Sequence, residues 1–329
     1  MVFSGSHTSN TRRMRDSTMP KITCLAGGVG AARFLQGLVR VVPPGEVTVI
    51  VNTGDDIKLH GLHISPDVDI VTYTLAGIVD EGKGWGIRDD SFRCLAALGR
   101  LGGETWFNLG DADLATHISR TRMIKEGLRL SEVAARHSRA LGVETVIIPM
   151  TDDPFATQIL TNDGYVHFEE YFVKRGAAST VRGVRFLGAE EAKPAPGVTE
   201  AIESANGIVI CPSNPIVSVG TILSIPGIRE ALRRTNARVA AVSPIIGGSP
   251  VKGPADRIMA GLGLEVSSLS VARLYGDFID SFVMDDVDAD LAEKVRSLGV
   301  SATVTNTIMR TLEDKVHLAN ETLRSIGLV

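Results

Sequence analysis

The first run able to do chemistry is Ala26-Gly27-Gly28-Val29-Gly30-Ala31-Ala32-Arg33, which follows the short apolar stretch KITCLAG. Glycines at such a turn let the backbone approach a phosphate, and a following helix offers free N–H groups and the positive end of its dipole. Gly27, Gly28 and Gly30 are therefore candidate phosphate contacts. The dinucleotide fingerprint needs a glycine where Arg33 stands, and the Lys-Ser/Thr pair of a P-loop is absent. The pattern points to a phosphate or nucleotide and away from a nicotinamide cofactor. A bare strand-to-helix turn is the alternative.

Asn52-Thr53-Gly54-Asp55-Asp56 ends a second strand-like run, VTVIVNTG. Ligands of open α/β sheets sit beyond the carboxyl ends of strands, and adjacent strand residues point to opposite faces. Asp55 and Asp56 thus have separate roles, with Asp55 the candidate Mg²⁺ ligand and a turn cap as the alternative. In His60-Gly61-Leu62-His63-Ile64-Ser65-Pro66-Asp67-Val68-Asp69, the two histidines lack a third His or Cys nearby, which disfavours zinc or iron. Asp67 and Asp69 are better read as a second Mg²⁺ ligand or a carboxylate that orients a hydroxyl. Asp111 and Asp113, at the start of a helical pattern, read equally as helix caps. Arg120 and Arg122 on that helix could reach a phosphate or stay solvated. Two later turns, Pro212-Ser213-Asn214-Pro215 and Ser243-Pro244 with Gly247-Gly248, follow strand-like runs, with Lys252 and Arg257 nearby. They suit a base, ribose or phosphate pocket. No Ser-His-Asp spacing or nucleophile elbow is present.

The elements that must position these residues alternate between apolar strands and helices. KITCLAG, VTVIVNTG, NGIVICPSNP, ARVAAVSPIIGG, DSFVMDD and SATVTNT read as strands. AARFLQGLVRVV, IREALRRT, ADRIMAGLG, SLSVARLY and EDKVHLANETLRSIG read as helices. This alternation predicts a Rossmann-like, doubly wound α/β fold with a mostly parallel sheet. Residues from about 112 to 142 are helical in pattern, and ATQILTNDGYVHFEEYFVKR alternates with period two around Asn162-Asp163-Gly164, a hairpin signal. The predicted division is a nucleotide-binding core over 19–110 and 188–329, with a helix-plus-hairpin insertion over 111–187. Residues 1–18, with Arg12, Arg13 and Arg15 but no apolar core, are expected to be a disordered extension rather than a secretory signal.

The chain has 329 residues, 44% of them hydrophobic, and a formal net charge of -4. That mild acidity leaves no broad basic field for nucleic acid or a membrane surface, and no apolar run of about 18 residues could span a bilayer. Cys24, Cys94 and Cys211 lie far apart without a CxxC pair, which gives no zinc site and suits a reducing cytoplasm.

Taken together, AGGVGAARFLQGL, VNTGDD, SPDVDIVTYTLAG, WGIRDDSF, LGDADLATHI, PMTDDP, CPSNPIVSVGTILSIPGIR and SPIIGGSPVKGPA resemble the 2-phospho-L-lactate transferase family, from Met19 to the C-terminus. The resemblance implies transfer of a phospho-acyl group, phospholactyl or enolpyruvyl, from a guanosine-diphosphate-linked donor to the ribityl hydroxyl of a deazaflavin precursor. GMP is released with Mg²⁺ as cofactor, in the biosynthesis of coenzyme F-420. It places donor phosphates near Gly27, Gly28 and Gly30, with Lys252 also on the donor and Ser213 and Asn214 on the guanosine side. It makes Asp55 and Asp69 the metal-site or hydroxyl-facing carboxylates, and Asp69 and Asn108 the deazaflavin contacts. Asn108 stands where the family often carries a basic residue, and Ala112 replaces the Arg of its Asp-Arg-Asp motif. Small-molecule substrates and a homodimer are the expected partners. A non-enzymatic family of nucleotide-sugar-binding regulators shares the glycine turn and a sheet of this kind, but is not expected to share LGDADLATHI.

Overall fold

The computed structural model describes residues 19–329; the expected extension over 1–18 lies outside the described residues. The strands in chain order are β1 (Ile22–Ala26), β2 (Val47–Val51), β3 (Ile57–Leu59), β4 (Leu62–Ile64), β5 (Val146–Pro149), β6 (Ala156–Thr161), β7 (Gly164–His167), β8 (Gly183–Leu187), β9 (Gly207–Ile210), β10 (Arg238–Val242), β11 (Ile245–Ile246), β12 (Ser249–Pro250), β13 (Ser281–Met284) and β14 (Ser301–Val304). The first helices are α1 (Gly28–Val41), α2 (Pro66–Leu75), α3 (Arg93–Arg100), α4 (Asp111–Lys125) and α5 (Leu130–Ala140).

Seven strands form one sheet in the order β14-β13-β10-β9-β1-β2-β5, with every pairing parallel. The central strands β1 and β9 are buried along their whole length, as expected where helices cover both faces. Exposure rises at the edge strands, β14 and the start of β5, and at Arg238, the first residue of β10. From β1 the chain winds outward through β2 to β5, then returns to the other side of β1 at β9 and winds the opposite way. The order therefore reverses between β1 and β9, and the crevice beyond their carboxyl ends is where a ligand belongs in such a sheet.

That crevice is closed at its base by a direct link. Ser213, just past β9, donates from Oγ to the Gly27 carbonyl at 2.8 Å and accepts from the Gly27 N–H at 3.2 Å. A Cβ on Gly30 would run into the Pro212 carbonyl, so the glycine turn and the β9 turn can meet only because Gly30 has no side chain.

The hairpin expected around Asn162-Asp163-Gly164 is present as β6 and β7, and β8 completes a small antiparallel sheet in the order β7-β6-β8. The expected insertion over 111–187 is not continuous, because β5 lies within it and pairs with β2 as the edge of the central sheet. The two insertion elements, the α4–α5 pair and the small sheet, therefore flank a core strand.

Helix α1 crosses the C-terminal helix Leu312–Ser325 at Gly37, where an added Cβ would strike the Lys315 carbonyl. Ala in place of Gly inside a helix ordinarily stabilises by about 0.5–1 kcal/mol. Here the close crossing reverses the sign. Gly37→Ala is expected to lower unfolding stability by about 1–3 kcal/mol, measured by urea denaturation.

Candidate active site

A cavity of about 750 Å³ opens over the crevice, and the glycine turn, Asp55, Asp67, Asp69, Asn108, Ser213, Asn214 and Lys252 all line it. The structure thus gathers these sequence-predicted residues around one space, without Arg120, Arg122 and Arg257. It sorts their charges differently from the expectation.

The floor is built on Asn52, fully buried at the end of β2. Its side-chain oxygen accepts from the Gly54 N–H at 2.8 Å, which fixes the amide orientation. Its amide nitrogen donates to Asp55 Oδ2 at 3.0 Å and to Asp67 Oδ2 at 2.9 Å. Glu169, buried just before a short π-helical turn at Glu170–Lys174, lines the same cavity. Burial and the mutual repulsion of these acids push all three upward. Asp55 is held well above the carboxylate range, first by burial and then by Asp67 and Glu169. Burial raises Asp67 to about 7, with the Asn52 bond opposing. Burial, then Asp67 and Asp56, raises Glu169 to about 8. The buried Asp55 Oδ1 has no hydrogen-bond partner among the described residues.

Asp56, in the turn after β2, makes different contacts from Asp55. It accepts from Ser65 Oγ at 2.6 Å and lies 2.8 Å from His63 Nε2. The β3–β4 hairpin turns at His60-Gly61, both at positive φ, so His63 braces Asp56 and neither histidine lines the cavity.

Asp55 and Asp69, expected together at a metal or hydroxyl-facing site, both line the cavity but have different hydrogen-bond partners. Ser65-Pro66 opens α2, and Asp67 and Asp69 fall two residues apart in its first turn. Such residues face roughly opposite sides of a helix. Asp67 therefore turns to Asn52 and Asp55, while Asp69 turns to α4. There Asp113, His117 and Arg120 share one face, and Tyr73, one turn beyond Asp69, meets the same group. Arg120, 1% exposed, forms an ion pair with Asp69 Oδ1 and donates to the His63 carbonyl at 3.3 Å. His117 Nδ1 stands 3.6 Å from Asp69 Oδ2, and its Nε2 stands 3.3 Å from Asp113 Oδ2. Tyr73 donates to Asp113 Oδ1 at 2.7 Å. Burial raises Asp69, with Arg120 and then His117 opposing. Asp69 Oδ2 and His117 Nε2 have no hydrogen-bond partner among the described residues.

The cap reading of Asp113 is corrected by these contacts. Asp111 is a cap, but of α3: it accepts from the Cys94 N–H at 2.9 Å and from Ser91 Oγ. Asp90 caps α4 in exchange, accepting from the Ala112 and Asp113 N–H groups at 2.8 and 3.0 Å. Arg120 is neither a phosphate contact nor solvated, whereas Arg122 is exposed beside Glu126.

The lining also carries basic residues. Arg33, Lys252 and Arg310 line the cavity, and Lys252 Nζ donates to the Lys83 carbonyl at 2.9 Å, tying two loops at the mouth. Arg257 instead braces the carbonyls of Gly176 and Ala177. Apolar wall comes from Trp85, Phe107, Phe168 and Phe172, the last two stacked with centroids 5.7 Å apart. Glu169, Arg310 and the wall were not singled out by sequence. The only signal for Glu169 was its place at the end of the hairpin pattern, where a solvated carboxylate is the ordinary reading.

The acidic floor fits a divalent cation. It offers hard oxygen donors only, one of them an unpartnered buried oxygen, and its like charges call for compensation. Among the described residues, the group whose ligand-type atoms all lie within 4.8 Å of one another is Asp69-Asp113-His117 rather than the floor, but the Arg120 guanidinium already neutralises Asp69 there.

A family model described as 2-phospho-L-lactate transferase CofD matches residues 22–320. Curated relatives include a phosphoenolpyruvate transferase of Streptomyces coelicolor, 45% identical over 309 residues, 92% of this chain and 97% of that protein. A 2-phospho-L-lactate transferase of Methanothermobacter thermautotrophicus is 43% identical over 305 residues, 93% of this chain and 98% of that protein. Among solved structures, a UPF0052 family member from Bacillus halodurans superposes with a TM-score of 0.61 at 17% identity, covering 93% of this chain and 99% of that one. That likeness speaks to the fold.

The floor carboxylates should also govern stability. Unfolded carboxyls ionise near pH 4, whereas Asp67 in the folded chain keeps its proton to about pH 7. The folded state then binds more protons over that window, and this group makes stability fall as pH rises through it. Burial holds His137 down at about 4, an effect of opposite sign, so the readout is a difference between variants. In cation-free buffer, Asp67→Asn is expected to gain thermal stability relative to wild type as pH rises from 4 to 8. A constant difference across that range would contradict the assignment.

Proposed function

Because the chain belongs to the 2-phospho-L-lactate transferase family, we propose that it moves a phospho-acyl group from a guanosine-diphosphate-linked donor to the ribityl hydroxyl of an 8-hydroxy-5-deazaflavin precursor. GMP is the leaving product, and the reaction belongs to coenzyme F-420 biosynthesis. The acyl group is that of 2-phospho-L-lactate or phosphoenolpyruvate, the two named among the relatives. The observation that carries the reading is that buried acids, basic side chains and a glycine-rich helix start line one cavity.

In this reading the donor diphosphate lies between the floor acids and the basic side chains. Gly27, Gly28 and Gly30 give it close backbone approach at the positive end of α1, and Lys252 supplies opposing charge. Ser213 and Asn214, at the β9 turn, lie on the guanosine side. Asp55, with Asp67 and Glu169, would hold Mg²⁺, replacing the Asp55–Asp69 pair expected from sequence. Bound there, the ion would offset the charge of the diphosphate and of departing GMP. The deazaflavin lies against Phe107, Phe168 and Phe172, with Asn108 at the edge.

The remaining chemistry is positioning and a proton. The ribityl oxygen forms a new bond to the phosphorus that carries the acyl group, and the bond from that phosphorus to the bridging oxygen breaks, leaving GMP. Arg120 holds Asp69 by Oδ1 and leaves Oδ2 free to orient the hydroxyl and take its proton. His117 Nδ1 stands 3.6 Å from that free oxygen, and Asp113 in turn stands 3.3 Å from His117 Nε2.

Two measurements test this. Thermal unfolding with GDP plus Mg²⁺, UDP-N-acetylglucosamine or NAD should show stabilisation by the first alone, about 2.7 kcal/mol at a hundred times Kd. Stabilisation by the uridine sugar alone would favour a nucleotide-sugar-binding regulator instead. Asp55→Asn is expected to fold normally yet release GMP at least about a hundredfold more slowly. Wild-type turnover in that variant would overturn the role given to Asp55.

A further inference from the structure

Behind the first turn of α1 lies a second, small pocket of about 70 Å³, which shares Val29, Arg33, Ile70 and Arg310 with the main cavity. A water in the liquid occupies about 30 Å³, so the pocket has room for one small oxyanion. Three cations face it: Arg33, Arg310 and Lys315. Lys315 is only 6% exposed, and its Nζ donates to Gln36 Oε1 at 2.5 Å. One carboxylate, Glu81, reaches the pocket, and it accepts from Gln36 Nε2 at 2.9 Å. None of the three cations lies within ion-pair distance of a carboxylate among the described residues.

Burying part of a cation without its counter-ion is costly, and here three positive groups share a space with one acid. The arrangement is also fixed by the fold. Arg33 stands one turn into α1, and the cap of the C-terminal helix holds Arg310, whose N–H donates to Asp314 Oδ2 at 2.9 Å. Thr311 and Asp314 complete that cap reciprocally. Lys315 sits beneath both, where that helix crosses α1.

The two acyl groups named among the relatives, 2-phospho-L-lactate and phosphoenolpyruvate, share a carboxylate on the carbon that bears the phosphate ester. A site for the diphosphate therefore needs an oxyanion site within one or two bonds of it. We propose that Arg33 and Arg310, backed by buried Lys315, form the subsite that takes this carboxylate. The proposal rests on the donor reading above. A guanidinium offers two parallel donors to a carboxylate, which suits Arg33 and Arg310 for direct contact, while Lys315 adds charge from behind.

The test uses the full chain as wild type, Arg33→Gln, Arg310→Gln and Arg33→Lys. Donor kinetics are measured together with inhibition by 2-phospho-L-lactate, inhibition by inorganic phosphate, and equilibrium binding of GDP with Mg²⁺. Each Gln variant is expected to raise donor KM and weaken 2-phospho-L-lactate by about tenfold or more, with kcat and GDP affinity within about twofold of wild type. Inorganic phosphate should weaken less, and Arg33→Lys should recover part of the loss. The exposed position of Arg310 makes its variant a test independent of folding. Unchanged donor KM and unchanged 2-phospho-L-lactate inhibition in both Gln variants would overturn the proposal. So would loss of GDP affinity equal to the loss of donor affinity, which would place these cations on the diphosphate. If wild type binds no GDP, the donor reading itself fails, and the acyl assignment falls with it.

Discussion

Two buried carboxylates share one amide nitrogen at the carboxyl end of β2, and much of the site is arranged around that bond pair. Asn52 keeps Asp55 and Asp67 close, and Glu169 adds a third acid from the small sheet. Like charges in a low-dielectric pocket repel strongly and can persist only when protonated, paired or bridged by a cation. The surrounding fold supplies the constraint. Asn52 is locked by the Gly54 N–H, Asp67 by the first turn of α2, and Asp55 by the Asn52 amide in the turn after β2.

The same helix turn that gives Asp67 to the floor gives Asp69 to a separate, charge-balanced group. Asp69, Arg120, His117, Asp113 and Tyr73 form a buried chain between α2 and α4, whose facing sides are polar where most helix contacts are apolar. Such a network is costly unless nearly every member is satisfied. The two atoms left unpartnered, Asp69 Oδ2 and His117 Nε2, belong to residues that line the cavity. One helix turn thus separates a region suited to a cation from one suited to holding a hydroxyl.

Much of the fold was legible in the sequence. Apolar runs marked the strands of the parallel sheet, and Asn162-Asp163-Gly164 marked the hairpin. The place of β5 was not, because a short VIIP run between a helix and a turn says nothing about which sheet it joins. Gly27, Gly28, Gly30 and Asp55 could be named because their roles follow from local chain geometry. The different partners of Asp67 and Asp69 were not legible, because they follow only once Pro66 is known to be the first residue of α2. Glu169 comes from a segment more than a hundred residues from Asp55, and no local pattern distinguishes it from the solvated Glu170 beside it. Arg120 looked like any helix arginine, since only the α2–α4 contact decides that it is buried.

The central claim is that Asp55, Asp67 and Glu169 form a cation site, and it is tested most directly by calorimetric titration of Mg²⁺ into the metal-free protein near neutral pH. Saturable binding of one ion per chain to wild type, lost in Asp55→Asn while that variant keeps its thermal unfolding transition, is the expected result. No saturable binding to wild type, or equal binding to both proteins, would contradict it.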